Sequence, residues 1–331
     1  MNKVLIAGGA GFIGSHLSEK LLSLGFEITV LDNFSTGKMS NLEDIKSKIC
    51  IVDGDINDYE LVKDVSKDID YIVHEAYPYG ISGIGLYDQY IETGILGTFN
   101  LLKAAVENNV KKLVNVSSVS AYGLINTDIQ TEENIGDPFY TYGVTKLTGE
   151  MYCKTFSKFH NLDTVSLRYF YGYGERYATY DHSALVKFIN KAINGEPIKI
   201  IGSGQQLRDY TYISDIVDGT IAAMLKKNTN GEVYNISGGE GTSILDLANT
   251  IKNVYDKEVK IEFADDNDMV FSDDKTSIPF GATHKENGIW VDSRNYVADN
   301  RKAKKELDWS PKVSLENGIK RTIDWLVKNK Q

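Results

Sequence analysis

Two side chains that can exchange protons, Tyr142 and Lys146, stand four residues apart in the sequence. Residues at this spacing lie on the same face of an α-helix, one turn from each other. A phenol acts as a base near neutral pH only if its pKa of about 10 falls by about 3 units, which requires roughly 4 kcal/mol of selective stabilisation of the phenolate. A nearby positive charge supplies such stabilisation, and Lys146 carries one. The pair therefore predicts a tyrosine base that removes a proton from a hydroxyl group.

A glycine-rich turn near the start of the chain predicts a binding site for a dinucleotide. Three glycines keep a three-residue spacing between a short apolar run and a helical pattern: Gly8, Gly11 and Gly14. Glycines in this context let the backbone approach a pyrophosphate, and the helix N-terminus offers N–H donors to it. Asp32 ends the second predicted strand, where a carboxylate binds the adenosine ribose hydroxyls and repels a 2′-phosphate. We therefore expect NAD rather than NADP, with Asp55 and Ile56 beside the adenine.

Such a cofactor would complete the chemistry of the tyrosine and the lysine. Ser117 and Ser118 end a predicted strand, at the edge of the sheet where folds of this class bind ligands. A cationic nicotinamide ring would stabilise the phenolate together with Lys146. Tyr142 could then take a hydroxyl proton while hydride passes to the cofactor.

Apolar strands alternate with helical patterns over roughly the first half of the chain, which predicts a parallel, doubly wound sheet. The predicted strands cover residues 4–7, 27–31, 49–52, 71–74, 112–116 and 164–168, and the helices between them include 59–65, 91–108 and 142–159. The second half is less regular, with predicted helices at 184–194, 214–226, 243–255 and 315–328 and a strand at 198–201. The acidic stretch 265–287 has no periodicity and is predicted to be an exposed excursion.

The fold class is therefore α/β, with a Rossmann-type doubly wound parallel sheet and a smaller C-terminal α/β substrate lobe. We expect residues 1–170 to bind NAD and residues 171–331 to form the substrate lobe, with roughly 205–240 returning to the first domain.

The overall composition limits the partners and the location. A formal net charge of −10 argues against nucleic acid, because phosphate binding needs a basic face. No apolar run is long enough to cross a membrane. Cys50 and Cys153 are too few and too far apart to form a disulfide framework, and no metal site is expected. The first residues lead directly into an apolar strand without a signal-peptide pattern, so we expect a cytoplasmic protein.

Together these motifs resemble the extended short-chain dehydrogenase/reductases, in the branch of NAD-dependent nucleotide-sugar epimerases and dehydratases. Within that branch the chain is most similar to UDP-glucose 4-epimerases. The resemblance covers almost the whole chain through the runs Gly8-Gly9-Ala10-Gly11-Phe12-Ile13-Gly14, Leu31-Asp32-Asn33-Phe34-Ser35-Thr36-Gly37, Gly97-Thr98-Phe99-Asn100-Leu101-Leu102, Ser117-Ser118 before Tyr122-Gly123, Tyr142 with Lys146, Leu167-Arg168-Tyr169-Phe170, Arg208-Asp209-Tyr210 and 307–311.

The resemblance implies a role for each member of the site. The catalytic residues that it implies are Ser118, Tyr142 and Lys146. Ser118 rather than Ser117 is implied because it stands four residues before Tyr122. The residues implied to bind NAD are Gly8, Gly11, Phe12, Ile13, Gly14, Asp32, Asn33, Ser35, Thr36, Gly37, Asp55, Ile56, Ala76, Ser117, Tyr142, Lys146 and Phe170. The residues implied to bind substrate are Ser118, Tyr142, Tyr171, Arg208, Arg294 and Tyr296.

Several positions depart from the residues that are usual in the family. Gly94 stands where the family usually has Asn, and Tyr171 replaces an Asn that commonly touches the nucleotide diphosphate. Tyr77 lies in a stretch beside the nicotinamide that is a blander His-Leu-Ala-Ala in the family. Related 4,6-dehydratases carry Asp-Glu directly after the catalytic serine, whereas this chain has Val119-Ser120. This last difference argues against a dehydratase.

The function that the resemblance implies is NAD-dependent 4-epimerisation of a UDP-sugar through a transient 4-keto intermediate. Tyr296 occupies the position that in these epimerases lines the pocket beside the 2-substituent, and its bulk favours UDP-glucose and UDP-galactose over N-acetylated sugars. The alternatives are an epimerase of UDP-N-acetylglucosamine or of a UDP-uronate, a net nucleotide-sugar oxidoreductase or dehydratase, and more remotely a non-catalytic NAD-sensing protein.

Apolar side chains on more than one face of two predicted helices further indicate a homodimer. The residues in question are Leu96, Leu101, Leu102, Leu147, Met151 and Phe156. One face must cover the sheet, and the remainder can pair with a second subunit. Relatives commonly dimerise through a four-helix bundle of this kind.

Overall fold

Parallel strands form the centre of the protein, which is described by a computed structural model over residues 1–78, 87–123, 129–134, 136–138, 140–177, 183–255, 258–263, 284–286, 289–291 and 294–329. The strands are β1 (Lys3–Ala7), β2 (Glu27–Asp32), β3 (Cys50–Asp53), β4 (Tyr71–His74), β5 (Lys112–Ser118), β6 (Asp163–Tyr169), β7 (Gly172–Tyr173), β8 (Ile198–Ile200), β9 (Leu207–Asp209), β10 (Thr211–Tyr212), β11 (Glu232–Ile236), β12 (Gly241–Ser243), β13 (Ile261–Phe263), β14 (His284–Glu286) and β15 (Ile289–Val291). The helices are α1 (Phe12–Ser23), α2 (Tyr59–Val65), α3 (Tyr87–Ile91), α4 (Thr98–Glu107), α5 (Thr141–His160), α6 (Ala184–Asn194), α7 (Ile213–Leu225), α8 (Ile244–Tyr255), α9 (Arg301–Leu307) and α10 (Leu315–Asn329).

Seven strands make one sheet in the order β3-β2-β1-β4-β5-β6-β11, and every pair in it is parallel. The predicted doubly wound parallel sheet is thus confirmed. Ala7, the last residue of β1, pairs with Leu31 of β2 on one side and with His74 of β4 on the other. The strand order reverses between β1 and β4, so the loops that follow these two strands diverge and leave a crevice at the carboxyl edge.

Helices cover both faces of the sheet because its central strands are apolar on both sides. Val4 and Ile6 belong to a cluster that contains the buried residues of α1 and α7. The alternate residues of β1, Leu5 and Ala7, belong to a second cluster with the buried residues of α2 and α4. This period of two follows from the pleat of a strand, and burial on both faces is characteristic of parallel sheets.

The predicted helix at 91–108 is in fact three consecutive pieces, which begin at Tyr87. A π-helical turn over Glu92–Gly97 separates α3 from α4. The Thr98 hydroxyl donates a hydrogen bond of 2.8 Å to the Gly94 carbonyl inside this turn. Sequence periodicity could not reveal the turn, because the pieces on either side of it are too short for a change of phase to stand out in the apolar pattern.

The second half of the chain contributes one strand to the large sheet and also forms small sheets of its own. β11 pairs with β6 and forms the edge of the large sheet, while β8 pairs with β13 and β9 pairs with β12 in small sheets of their own. The excursion predicted at 265–287 lies outside the described residues except for β14, which pairs with β15. Within the part of the chain that the structure describes, no helix is long and apolar enough to span a membrane, and no cluster of three metal-ligating side chains occurs.

Candidate active site

The backbone of the glycine turn after β1 packs so closely on its neighbours that side chains would not fit there. Because the turn carries no side chains, a ligand can approach its backbone. Gly8 has a φ of +83°, and a Cβ there would lie 2.5 Å from the amide nitrogen of Ala76, in the loop after β4. A Cβ on Gly14 would lie 2.8 Å from the Cα of Gly9. Gly11 caps α1 without a side chain, so no side chain satisfies the N–H groups of the first turn of that helix. This cradle fits the pyrophosphate of a dinucleotide.

Asp32 holds the glycine turn against the end of β2. Its carboxylate accepts one hydrogen bond from the Ala10 amide and one from the Phe34 amide, each of 2.9 Å. Burial raises the pKa of Asp32 above its usual range, although the two amide donors act in the opposite direction. Gly37 passes so close that a Cβ there would lie 2.8 Å from the Oδ1 of Asp32. The carboxylate is therefore fixed beside the turn, and each oxygen keeps a further lone pair for a ribose hydroxyl.

The predicted adenosine-side residues are joined by hydrogen bonds between the ends of β2 and β3. The Asn33 side chain donates a 2.7 Å hydrogen bond to Asp55, and its own oxygen accepts one of 3.0 Å from the Ser35 amide. The carbonyl of Ile56 accepts a 3.0 Å hydrogen bond from the Asn100 side chain. The structure thus brings the ends of both strands together beside the glycine turn.

Ser118, Tyr142 and Lys146 come together where β5 ends and α5 begins. The Ser118 hydroxyl accepts a 3.1 Å hydrogen bond from the Ser120 amide, and it interacts with the Tyr142 phenol. Lys146, one helical turn after Tyr142, donates a 2.7 Å hydrogen bond from its Nζ to the Val116 carbonyl of β5. Its Nζ lies 5.7 Å from the centre of the Tyr142 ring.

The charges that the chain itself brings do not make Tyr142 a base. Burial raises the pKa of Tyr142 to about 12, and the neighbouring Ser118 hydroxyl acts in the opposite direction. Burial also lowers the pKa of Lys146, against the attraction of Glu75 and Glu150. The sequence leads us to expect that Lys146 would lower the pKa of the tyrosine, but the hydrogen bond that its ammonium group donates goes to the Val116 carbonyl, and Lys146 is not among the main influences on the pKa of Tyr142. The fall in pKa requires a positive charge in addition to those of the chain.

Tyr77 contacts Lys146 more closely than Tyr142 does. The Lys146 Nζ lies 3.6 Å from the centre of the Tyr77 ring, and the Tyr77 hydroxyl is hydrogen-bonded to the Thr145 hydroxyl. The Tyr77 and Tyr142 rings meet edge to face with their centres 5.2 Å apart. Sequence reasoning noted Tyr77 only as a departure from the family. A large aromatic residue just after a strand that ends at the ligand-binding edge was the signal that could have placed it in the site.

A buried ion pair lies behind the serines and fixes α5 to the sheet. Arg168 of β6 donates hydrogen bonds of 2.8 Å and 2.7 Å to the two oxygens of Glu150 in α5. The Ser117 hydroxyl donates a third, of 2.5 Å, to the same carboxylate. The Arg168 guanidinium lies 4.2 Å from the centre of the Tyr122 ring. Ser117 thus points away from Tyr142, toward Glu150, while Ser118 faces the phenol.

The predicted substrate residues form an aromatic and basic cluster beyond the serines. The Arg208 guanidinium carbon lies 5.0 Å from the Tyr296 ring centre and 5.6 Å from that of Tyr171, and the guanidinium carbon of Arg294 lies 5.0 Å from that of Tyr296. Tyr296 packs with residues of the segment after Ser118 and with Phe170, which is completely buried. The structure therefore brings together the four residues predicted to bind substrate besides Ser118 and Tyr142.

Comparison with known proteins identifies this arrangement. A profile of the NAD dependent epimerase/dehydratase family matches residues 4–237, more than half of the chain. The chain belongs to this family. It is 31% identical to a putative UDP-glucose 4-epimerase of Methanocaldococcus jannaschii, over 98% of this chain and 99% of the relative. The predicted membership of the family is thus confirmed.

Solved structures agree with this assignment. The crystal structure of the Thermotoga maritima UDP-glucose 4-epimerase with UDP-glucose is similar with a TM-score of 0.83 and 31% identity, over 99% of this chain and 100% of that one. A UDP-glucuronic acid 4-epimerase from Bacillus cereus, in complex with UDP-glucuronic acid and NAD, has a TM-score of 0.83 and 30% identity, over 98% and 99% of the two chains. The chain is an NAD-dependent enzyme of the nucleotide-sugar epimerase type, and the predicted cofactor, NAD, is confirmed by the family.

Proposed function

We propose that the protein catalyses 4-epimerisation of a UDP-sugar. The observation that carries this proposal is that the Ser118 hydroxyl and the Tyr142 phenol meet at the carboxyl edge of the sheet, with Lys146 one helical turn away. The similarity to epimerases of UDP-glucose and UDP-glucuronic acid over nearly the full chain supports the same reaction class.

The glycine cradle and Asp32 would hold NAD, and we propose that residues 1–170 supply most of its contacts. The fit rests on two features of the chain: a turn that Cβ atoms would fill, and a carboxylate fixed beside it. When bound there, NAD would supply the hydride acceptor and donor that a reversible oxidation at the sugar C4 needs. The carboxylate of Asp32 would discriminate against a 2′-phosphate by charge repulsion.

Tyr142 and Ser118 would transfer the proton of the sugar's 4-hydroxyl. The Ser118 hydroxyl bridges the substrate hydroxyl and the phenol oxygen, because it both donates and accepts hydrogen bonds. The phenol oxygen of Tyr142 takes the proton and later returns it. Because the pKa of Tyr142 is about 12 in the chain alone, the phenol can do so only with added positive charge at the site. Lys146 contributes one such charge, and it also binds the nicotinamide ribose.

Residues 171–331, without β11, would position the nucleotide and the sugar. Arg208 and Arg294 place two guanidinium groups near Tyr296, and such groups bind diphosphate oxygens well. The Arg208 guanidinium is itself anchored by hydrogen bonds of 2.8 Å to the Leu207 carbonyl and 2.5 Å to the Arg294 carbonyl. We infer that this cluster binds the diphosphate, with Tyr171 at its edge.

Replacing the phenol tests the proposed chemistry. Tyr142→Phe removes the oxygen that accepts the proton but keeps the ring, so turnover of UDP-glucose should fall more than tenfold while NAD binding persists. Tyr152→Phe, in the same helix and packed on Phe99, is the matched control and should behave like the wild type. If Tyr142→Phe kept more than about a tenth of the activity, a loss of under roughly 1.4 kcal/mol, Tyr142 would not be the principal base.

We further propose that Tyr296 restricts the sugar to UDP-glucose and UDP-galactose. Its ring is buried and packs against that of Tyr171 with 6.1 Å between their centres, so it has little freedom to make room for an acetamido group. Product NMR with UDP-glucose, UDP-glucuronic acid and UDP-N-acetylglucosamine measures the choice. A higher kcat/KM for the acetylated sugar than for UDP-glucose would show that Tyr296 does not exclude the acetyl group.

We also propose that the protein is a cytoplasmic homodimer. Both cysteines are free thiols, as expected in a reducing compartment. The helices α3 to α5 expose an apolar surface that comprises Tyr87, Ile91, Leu96, Phe99 and Met151. Leu101, Leu102 and Phe156 do not belong to it, because they are buried in the cluster that packs against the sheet, as the sequence predicts for one face of these helices.

An exposed apolar surface of this kind usually marks the place where a partner binds and covers it. Met151→Glu should give a monomeric mass by light scattering at micromolar concentration. Leu24→Glu, at an exposed apolar residue outside this surface, is the matched control and should leave the mass of a dimer. A wild-type protein with the mass of a monomer would contradict the proposed dimer.

A further inference from the structure

Tyr77 lies between the catalytic helix and the turn that contains Gly94. Its ring faces the Lys146 ammonium at 3.6 Å, its edge contact with Tyr142 spans 5.2 Å between ring centres, and its hydroxyl is hydrogen-bonded to Thr145. The Thr145 hydroxyl in turn donates a 2.9 Å hydrogen bond to the carbonyl of Tyr142. Tyr77 therefore contacts three residues in the first turns of α5: Tyr142, Thr145 and Lys146.

Gly94 is the residue that makes this position available. A Cβ at residue 94 would overlap the Tyr77 hydroxyl and lie 2.8 Å from the ring carbon that bears it. The phenol therefore occupies the space in which any side chain at 94 would begin. Tyr77 and Gly94 are distant in the sequence, and the structure joins them in one packing arrangement.

We propose that Tyr77 is a positioning residue for the Lys146 ammonium, and that Gly94 is the gap that admits it. The negative face of an aromatic ring attracts a cation, most strongly where water is excluded. Lys146 is buried, and its ammonium group lies between the Tyr77 ring and the Val116 carbonyl, which is 2.7 Å away. The Tyr77 ring and the Val116 carbonyl together hold the ammonium in place, with its Nζ 5.7 Å from the centre of the Tyr142 ring.

Other groups also act on this ammonium and must be kept constant in any test. From the end of β4, Glu75 attracts the charge and His74 faces it, and burial lowers the pKa of His74 to about 3, so this imidazole stays neutral. From α5, Glu150 attracts it and the Tyr142 ring lies 5.7 Å away. None of these groups replaces the ring face, because none of them lies within hydrogen-bonding distance of the Nζ in the part of the chain that the structure describes.

The protonation of Lys146 in the free protein tests the proposal directly. The Cε signal of Lys146 in protein labelled with ¹³C-lysine, assigned by its loss in Lys146→Arg, is followed by NMR as a function of pH. In Tyr77→Leu the site stays apolar but loses the ring, so the apparent pKa of Lys146 should fall by about one unit. Tyr77→Phe keeps the ring and should retain the wild-type value. Lys103, which lies 3.8 Å from the Tyr59 ring centre, is the internal control, and its Cε signal should be the same in all variants.

Gly94→Ala provides an independent route to the same result. Its methyl group displaces the Tyr77 ring, so this variant should shift the Lys146 titration in the same direction as Tyr77→Leu. In a Tyr77→Leu background the additional change Gly94→Ala should have little effect, because the group that it displaces is already gone. An unchanged or raised pKa of Lys146 in Tyr77→Leu, or equal shifts in the Phe and Leu variants, would overturn the proposal.

The consequence for turnover rests on the proposed epimerase function and is measured separately. In Tyr77→Leu, kcat should fall about tenfold and the basic limb of its pH profile should move to lower pH, while KM changes little. If no UDP-sugar is turned over by the wild type, the epimerase proposal fails, but the NMR titration still decides the role of Tyr77. If turnover occurs and the pH profile of Tyr77→Leu matches that of the wild type, the positioning role is refuted and the epimerase function stands.

Discussion

Replacing Glu150 by Leu should destabilise the protein by far more than replacing Glu150 and Arg168 together. Both side chains are buried, and the carboxylate takes two hydrogen bonds from the guanidinium and one from Ser117. Glu150→Leu leaves a guanidinium in the interior with the Tyr122 ring as its remaining partner, which costs about 3–5 kcal/mol. It also removes the acceptor of the Ser117 hydroxyl, which adds about 1 kcal/mol.

The double variant Glu150→Leu/Arg168→Met removes both charges and keeps the volume roughly constant, so it should lose only about 1 kcal/mol, mainly at Ser117. Urea denaturation followed by circular dichroism gives the free energies of unfolding. Lys111→Met, which breaks an exposed ion pair with Asp70, is the control and should cost less than about 1 kcal/mol. A double variant that is as unstable as Glu150→Leu alone would refute the account of a stranded charge.

Three further predictions concern the cofactor site and the core. Gly14→Ala should abolish NAD binding in calorimetry, because its methyl group would collide with the Gly9 backbone, and unchanged affinity would show that the turn can relax. Asp32→Ala should narrow the preference for NAD over NADP, and equal affinity of the wild type for both would contradict the role of the carboxylate. Since burial lowers the pKa of His74 to about 3, the unfolded state takes up a proton below about pH 6.5 that the native state does not, and stability is lost as the pH falls from there toward 3. His74→Gln should remove up to about 1.4 kcal/mol of that loss per pH unit, measured by urea denaturation at pH 7.5 and 5, and an identical pH dependence in both proteins would count against it.

The strands and the catalytic helix could be predicted because their signals are local. Apolar runs with glycines after them located β1 and its turn, and a spacing of four placed Tyr142 and Lys146 on one face of α5. The contact of Tyr77 with Lys146 could not be predicted, because it joins three segments that are distant in the sequence. Its existence depends on the missing side chain at Gly94, which only the folded structure relates to Tyr77.

The sequence also could not show which apolar side chains of a helix face the sheet and which face outward. Leu96, Leu101 and Leu102 were expected to lie on more than one face of the predicted helix, and the structure shows that the first is half exposed while the other two are completely buried. The π-helical turn over Glu92–Gly97 lies at the point where this face changes. An apolar pattern with a constant period cannot describe a helix whose period changes within it.

That π-helical turn also has a consequence for how the chain tolerates insertions and deletions. A π-helical turn holds one residue more than an α-helical turn, and one residue corresponds to a rotation of about 100° around the helix axis. Deleting one residue between 92 and 97 would regularise the helix and improve its local hydrogen bonding. It would also rotate α3 relative to α4, and Tyr90, whose ring centre lies 5.9 Å from that of Tyr142, would lose its contact with that ring. The deletion would thus improve the hydrogen bonding of the helix but disturb the packing around Tyr142. A shorter version of this helix that keeps the site intact should therefore retain the extra residue of the π-helical turn.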